Sequence, residues 1–148
     1  MRAVIQRVSR ASVEVDGESR EIGNGLVVLV GISVEDTDKD AKHLVDKIVN
    51  LRIFSDHNGK LNFSALQLKV DVMVVSNFTL MANIKKGRRP SFPKASAPKD
   101  AQSLFENTLN VFRDTGLNVV SGYFGQEMIL NIENNGPVTL TLDTSDII

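Results

Sequence analysis

Gly25-Leu26-Val27-Val28-Leu29-Val30-Gly31-Ile32 is the stretch that decides the fold. Between its two glycines every residue is apolar, and Val27, Val28 and Val30 are β-branched. Such a run predicts a central strand buried on both faces. A strand of that kind needs cover on each side, and the flanking sequence offers it. Asp36 or Thr37 can cap a helix reaching about Arg52, with Ala41, Leu44, Val45, Ile48 and Leu51 on one face at spacings of three and four. Pro98 suits the first turn of a second helix, about Pro98 to Thr115, which Gly116 ends. Its inward residues are expected to be Ala101, Leu104, Phe105, Thr108 and Phe112.

The rest of the chain reads mainly as strands. Met1–Val8 and Ala11–Asp16 form two candidates, with Asp16-Gly17 as a turn signal. The opening residues, Met1 to Val13, carry Arg2, Arg7 and Arg10 and no acid, as transit peptides do, but their period-two alternation reads as a strand. His57-Asn58-Gly59 marks a turn. Val70 to Leu80 is a further strand, Met81 to Ala97 a long irregular stretch, and Asn118–Tyr123, Glu127–Glu133 and Val138–Asp143 are the final candidates. Two main helices among seven or eight strands predict an α+β fold: a curved, barrel-like, mostly antiparallel sheet with the helices packed on it. An unpaired strand edge on such a sheet invites a second copy of the chain.

The 148 residues, 42% of them apolar, suit one domain spanning 1–148 with an ordinary core. There is no cysteine, so disulfides and thiolate metal sites are excluded. The only histidines, His43 and His57, lie in unrelated contexts, so neither a metal nor another cofactor is expected. No apolar run approaches the roughly 18 residues of a membrane span. With no secretory signal visible, a cytoplasmic protein without a membrane partner is expected.

The net charge is −1, but it is unevenly spread. Val72 to Lys99 contains no acid, yet it holds Lys85, Lys86, Arg88, Arg89, Lys94 and Lys99. A run like this is often just a solvated loop. It can also neutralise phosphates while the whole molecule stays near neutral.

Beside it lies Ser76-Asn77-Phe78-Thr79-Leu80. Ser76 and Thr79 offer hydroxyls, but a hydroxyl nucleophile needs a base, and no histidine is nearby in sequence. Backbone N–H groups of Phe78 and Thr79 are the alternative, as donors to a developing oxyanion. Against both stands a plainer reading, with Phe78 in the core and Thr79 merely ending a strand. In Asn134-Asn135-Gly136-Pro137-Val138-Thr139, residue chemistry alone favours a hairpin turn with an ordinary trans bond, because cis occurs in only about 5–6% of X-Pro bonds. The competing possibility is a cis Gly-Pro bond that aims carbonyl groups into a pocket.

Taken together, the chain resembles the D-aminoacyl-tRNA deacylases over nearly its whole length. The matching residues are Met1-Arg2-Ala3-Val4-Ile5-Gln6-Arg7-Val8, Ala11-Ser12-Val13, Gly25-Leu26, Leu51-Arg52-Ile53-Phe54, Lys86-Gly87-Arg88-Arg89-Pro90-Ser91-Phe92, Phe124-Gly125 with Met128, and Asn134 to Thr139. The resemblance implies a homodimer of barrel-like subunits with the active site at their interface. It implies hydrolysis of the ester joining a D-amino acid, or glycine mischarged on a non-cognate tRNA, to the terminal adenosine. In that family a cis Gly-Pro pair enters the partner's pocket, and its carbonyls exclude L side chains. Gly136 and Pro137 match it. The catalytic motif falls on Ser76, Asn77, Phe78 and Thr79. Two views of it are open: Thr79 as nucleophile, or backbone groups around Phe78 and Thr79 holding the substrate while the tRNA 2′-hydroxyl assists. The missing base favours the second. Met128, Lys86, Arg88 and Arg89 become substrate-binding candidates, with tRNA rather than DNA as the partner.

One departure stands out. The family motif usually reads Ser-Gln-Phe-Thr, and here Asn77 replaces the glutamine. A competing class is a non-enzymatic RNA-binding module built on the Ile84–Lys99 loop. One Tyr, seven Phe and no Trp leave it few rings for stacking on bases. A metal-dependent hydrolase is the third reading, disfavoured by the poor ligand supply.

Overall fold

The computed structural model describes residues 1–147. Its decisive stretch is β3 (Gly25–Gly31), which pairs antiparallel with β1 (Arg2–Val15) and parallel with β6 (Asp71–Ser76). Both faces are covered, as the unbroken apolar run predicts. Leu26, Val28 and Val30 join a core against the helices, while Val27 joins a second core with Val8, Val13, Met73 and Val75 inside the curl of the sheet. Gly25 is required by close approach. A Cβ there would lie 1.9 Å from the Asp71 carbonyl oxygen at the start of β6.

The first helix, α1 (Asp38–Asn50), buries Ala41, Leu44, Val45, Ile48 and Val49. Its entry is fixed by Asp40, whose carboxylate accepts from the Thr37 N–H (2.9 Å) and hydroxyl (2.8 Å). After it come the short hairpin β4 (Arg52–Ser55) and β5 (Leu61–Ser64) and a one-turn helix, α2 (Ala65–Leu68). The last helix, α3 (Pro98–Asp114), has Pro98 in its first turn and buries Phe105, Thr108, Leu109 and Phe112. A third, one-turn helix therefore joins the two expected ones.

Several element boundaries differ from the sequence expectation. The two opening strands are one 14-residue strand, β1, with Ala11 to Val15 also paired to β2 (Glu18–Ile22). It bends rather than breaks, because β8 (Ile129–Asp143) bonds along both halves with register shifts near Val8. The expected hairpin at Asn134–Pro137 is likewise absent. Both flanking segments run antiparallel to the same strand, so the chain never reverses. The strand expected over Val70–Leu80 stops at Ser76, where Asn77 starts a 3₁₀ turn over Phe78–Met81.

The sheet is mixed. β1 is antiparallel to β2, β3 and β8, but β6 runs parallel to β3 and to β7 (Val119–Ser121), because helix-bearing crossovers connect them. It curls into a nearly closed, barrel-like sheet. At the seam Arg20 of β2 donates to the Ser121 carbonyl (2.9 Å) and lies over the Tyr123 ring at 3.9 Å. No described helix is long and apolar enough to cross a membrane.

Candidate active site

Ser76 ends β6 in the middle of the sheet, and the Asn77 N–H still continues the ladder to the Val30 carbonyl at 2.8 Å. The chain then lifts off as the 3₁₀ turn. Gly31 lies beneath it: a Cβ there would meet the Leu80 Cβ at 2.9 Å and the Asn77 oxygen at 3.2 Å. The glycine that closes the decisive stretch thus makes room for the turn. The core reading of Phe78 is overturned, since the residue is 59% exposed, and Thr79 is exposed beside it.

Asn77 caps this turn with its side chain. Its Oδ1 accepts from the Thr79 N–H at 3.2 Å and from the Thr79 hydroxyl at 2.5 Å. The hydroxyl proton therefore points at a neutral amide oxygen, which is not a base that can remove it. Both histidines are exposed, His43 on α1 and His57 in the β4–β5 turn. Among the described residues no group of three or more His, Cys, Asp or Glu side chains is placed to hold a metal ion.

Lys85, Lys86, Arg88 and Arg89 stand exposed on a loop that follows directly. Its base is closed by paired backbone bonds between Asn83 and Ser91, 2.7 and 3.1 Å long. The Phe92 ring packs against Phe78 with centroids 4.9 Å apart, so loop and turn form one surface. Among the described residues none of these four cations pairs with a carboxylate. Met128 lies near the end of β6: its sulfur accepts from the Tyr123 N–H at 3.2 Å, and its side chain packs on the cluster holding Val75.

Gly136-Pro137 is cis, against the expectation from residue chemistry alone and in line with what the family resemblance implies. The pair sits on an exposed bulge thrown out from β8, between Asn134 opposite Val8 and Thr139 opposite Gln6. Asn134 closes the neck: its amide donates to the Thr139 hydroxyl (2.7 Å) and its Oδ1 accepts from the Val138 N–H (3.1 Å). Arg7 supports it from below, donating to the Asn135 carbonyl (3.0 Å) and to the Ile53 carbonyl of β4 (2.7 Å). Sequence reasoning gave Arg7 no role. The available signal was an arginine at the position where the alternation of Ala3 and Ile5 calls for another inward apolar residue.

The structure unites Ser76, Asn77, Phe78, Thr79, Met128 and the basic loop, but not Gly136 and Pro137. The turn sits by Arg2 of β1 and the bulge by Arg7, five residues away, a separation of roughly 17 Å along a strand.

The sequence profile of the family described as D-Tyr-tRNA(Tyr) deacylase matches residues 4–143. A D-aminoacyl-tRNA deacylase of Dehalococcoides mccartyi is 52% identical over 147 residues, covering 99% of this chain and 96% of the relative. One from Aquifex aeolicus is 50% identical, covering 99% of this chain and 100% of its own. Among solved structures, a c-Myc DNA Unwinding Element Binding Protein superposes with a TM-score of 0.91 at 42% identity, over 97% of this chain and 98% of that one. A probable eukaryotic D-amino acid tRNA deacylase superposes with a TM-score of 0.84 at 19% identity, over 95% and 97%, a likeness of fold.

Proposed function

The chain belongs to the D-Tyr-tRNA(Tyr) deacylase family, and from that premise we propose that it hydrolyses the ester of D-aminoacyl-tRNA. Water adds to the acyl carbon, the bond to the ribose oxygen breaks, and that oxygen leaves with a proton. Free tRNA and the amino acid result. No metal or other cofactor takes part. The turn at Ser76–Thr79 is the reaction centre. Because the Thr79 hydroxyl is committed to an amide oxygen, backbone groups around Phe78 and Thr79 hold the substrate and the tRNA 2′-hydroxyl assists. Met128 lines the pocket, and Lys86, Arg88 and Arg89 grip phosphates of the acceptor end, which positions the substrate without reading its sequence.

The observation that carries the chiral reading is the exposed bulge that presents Gly136 and Pro137. A wall made of backbone carbonyls excludes an L side chain whatever that side chain is, and it leaves D residues and glycine unobstructed. The bulge lies too far from Thr79 of its own chain to form that wall, so a second copy supplies it. The active enzyme is a homodimer with each site at the interface. The outer edge of β8, unpaired among the described residues, suits that association. The whole chain, 1–148, acts as one cytoplasmic domain in chiral proofreading of translation.

The test is deacylation of matched D- and L-tyrosyl-tRNA by the purified protein, with Gly136→Ala alongside. Cleavage of the D form alone is expected, with selectivity lost in the variant. Equal cleavage of both forms by the unsubstituted protein would sink the reading.

A second reading is a non-enzymatic RNA-binding module on the Ile84–Lys99 loop. It is favoured by the unpaired cations and by Ile84, 75% exposed among them. On that reading Lys86 and Arg88 substitutions abolish function while Thr79 and Gly136 substitutions do not.

A further inference from the structure

We infer that Arg2 is a positioning residue for ester cleavage: its guanidinium bridges the Asp143 carboxylate and the Leu80 carbonyl, and so sets the turn that presents Phe78 and Thr79. The inference rests on the reading of Ser76–Leu80 as the reaction centre.

Leu80 lies within the 3₁₀ turn, and its carbonyl is left open there. Asn83, the residue three positions on that would ordinarily donate to it, donates instead to the Ser91 carbonyl at the base of the basic loop. Arg2 Nη1 takes the place of that donor at 3.2 Å. The same guanidinium donates through Nε to Asp143 Oδ2 at 2.8 Å. Asp143 is braced in turn by the Ser145 N–H (3.1 Å) and hydroxyl (2.9 Å).

Arg2 also stands at the right place in the sheet. Its backbone pairs with Gly31 of β3 on one side and with Asp143 of β8 on the other. Gly31 lies under Leu80, so three strand ends meet beneath the turn, and Arg2 ties the outermost of them to it. The side chain contributes nothing to the core, being 47% exposed. A role in stability alone explains this placement poorly, because an exposed carbonyl deprived of Arg2 is satisfied by water. What is lost is the direction of the turn, and of the chain leaving it for the basic loop. A rigid planar fork makes both bonds together, whereas a lysine ammonium on a flexible stem is suited to only one of them.

The experiment combines steady-state kinetics with hydrogen exchange on the intact protein. Arg2→Ala is expected to lower kcat for D-tyrosyl-tRNA about tenfold while KM stays within about twofold, as misplacement of a reacting centre does. Amides of Phe78 to Ala82 should exchange faster, with those of β3 unchanged. Arg2→Lys should recover part of kcat, and Arg2→Ala combined with Asp143→Asn should be no worse than Arg2→Ala alone, since both act through one link. Three results would overturn the inference. One is a raised KM with a reduced salt dependence, which makes Arg2 a phosphate ligand. Another is unchanged exchange at Phe78–Ala82. The last is a kcat loss that matches a fall in the folded fraction. If the unsubstituted protein cleaves no D-tyrosyl-tRNA, the proposed function fails on its own account. In that case the inference falls with it for catalysis, while the exchange data report separately whether Arg2 sets the turn.

Discussion

The ring of Phe92 lies 4.9 Å from that of Phe78, tilted by 60°. This contact joins the residue that follows the Asn83–Ser91 closure of the basic loop to the first residue of the 3₁₀ turn. On the proposed function, substrate gripped by one surface is thereby held in fixed relation to the other. Phe92→Ala should therefore raise KM for D-tyrosyl-tRNA several-fold and lower kcat as well. Steady-state kinetics at fixed salt measure both.

On the proposed function, the loop cations, unpaired among the described residues, set a salt dependence. Each phosphate neutralised contributes about 0.7–0.9 to the slope of log affinity against log salt. Lys86→Ala and Arg88→Ala should each weaken tRNA binding and flatten that slope by about one. Filter binding across a salt series reads it. An unchanged slope would place these side chains away from the phosphates.

Thr79 offers a test of its own hydroxyl. With the proton directed at the Asn77 amide oxygen, Thr79→Ala should cost no more than about tenfold in kcat, whereas loss of a true nucleophile costs orders of magnitude. Asn77→Ala removes the cap from both the Thr79 N–H and its hydroxyl, so it should cost more than Thr79→Ala. A single-turnover comparison of the two variants decides the order.

Gly136 has φ of +133°, and a Cβ there would approach Arg7 Nη2 and the Val138 side chain, each at 2.9 Å. Gly136→Ala should displace the bulge and leave the sheet intact. The expected result is a melting temperature close to that of the parent, with a D-to-L selectivity ratio that falls at least tenfold, since a tenfold change is only about 1.4 kcal/mol of discrimination. Parallel assays on the two tyrosyl-tRNAs check it.

Acid should destabilise the fold in a defined window. Burial pushes the Asp143 carboxyl up, but hydrogen bonds from Arg2 and from the Ser145 N–H and hydroxyl outweigh it, and the carboxyl sits below its usual range. Asp40 is lowered in the same way, burial being outweighed by the Thr37 hydroxyl and N–H. A lowered carboxylate stabilises fully above its unfolded value, about 3.9, and loses that contribution as pH falls through the folded value. The urea midpoint should hold steady down to about pH 5 and drop below about pH 4. Asp143→Asn should reduce the drop.

The sequence revealed what periodicity and steric rules control. The two-sided strand at Leu26–Val30, the apolar stripe of α1 and Pro98 opening α3 all follow from local pattern, and all are present. It misread places where a distant partner decides. Nothing local distinguishes a hairpin at Asn134–Pro137 from a bulge; that depends on both flanks pairing with β1. Phe78 looked like core because apolarity was the only clue, yet the early end of β6 leaves it outside. The roles of Arg2 and Arg7 are tertiary, each reaching across more than forty residues to a carbonyl oxygen. The cis bond was accessible through family resemblance and not through residue chemistry.

The neck at Asn134 and Thr139 has a last consequence. Strand pairing resumes directly beyond it on either side, so Gly136 and Pro137 project from a scaffold already closed beneath them, while Val138 keeps its side chain on the core. An engineer can therefore exchange these two exposed residues without asking the sheet to refold. On the proposed function, substrate selectivity and the integrity of the sheet thus rest on separate residues.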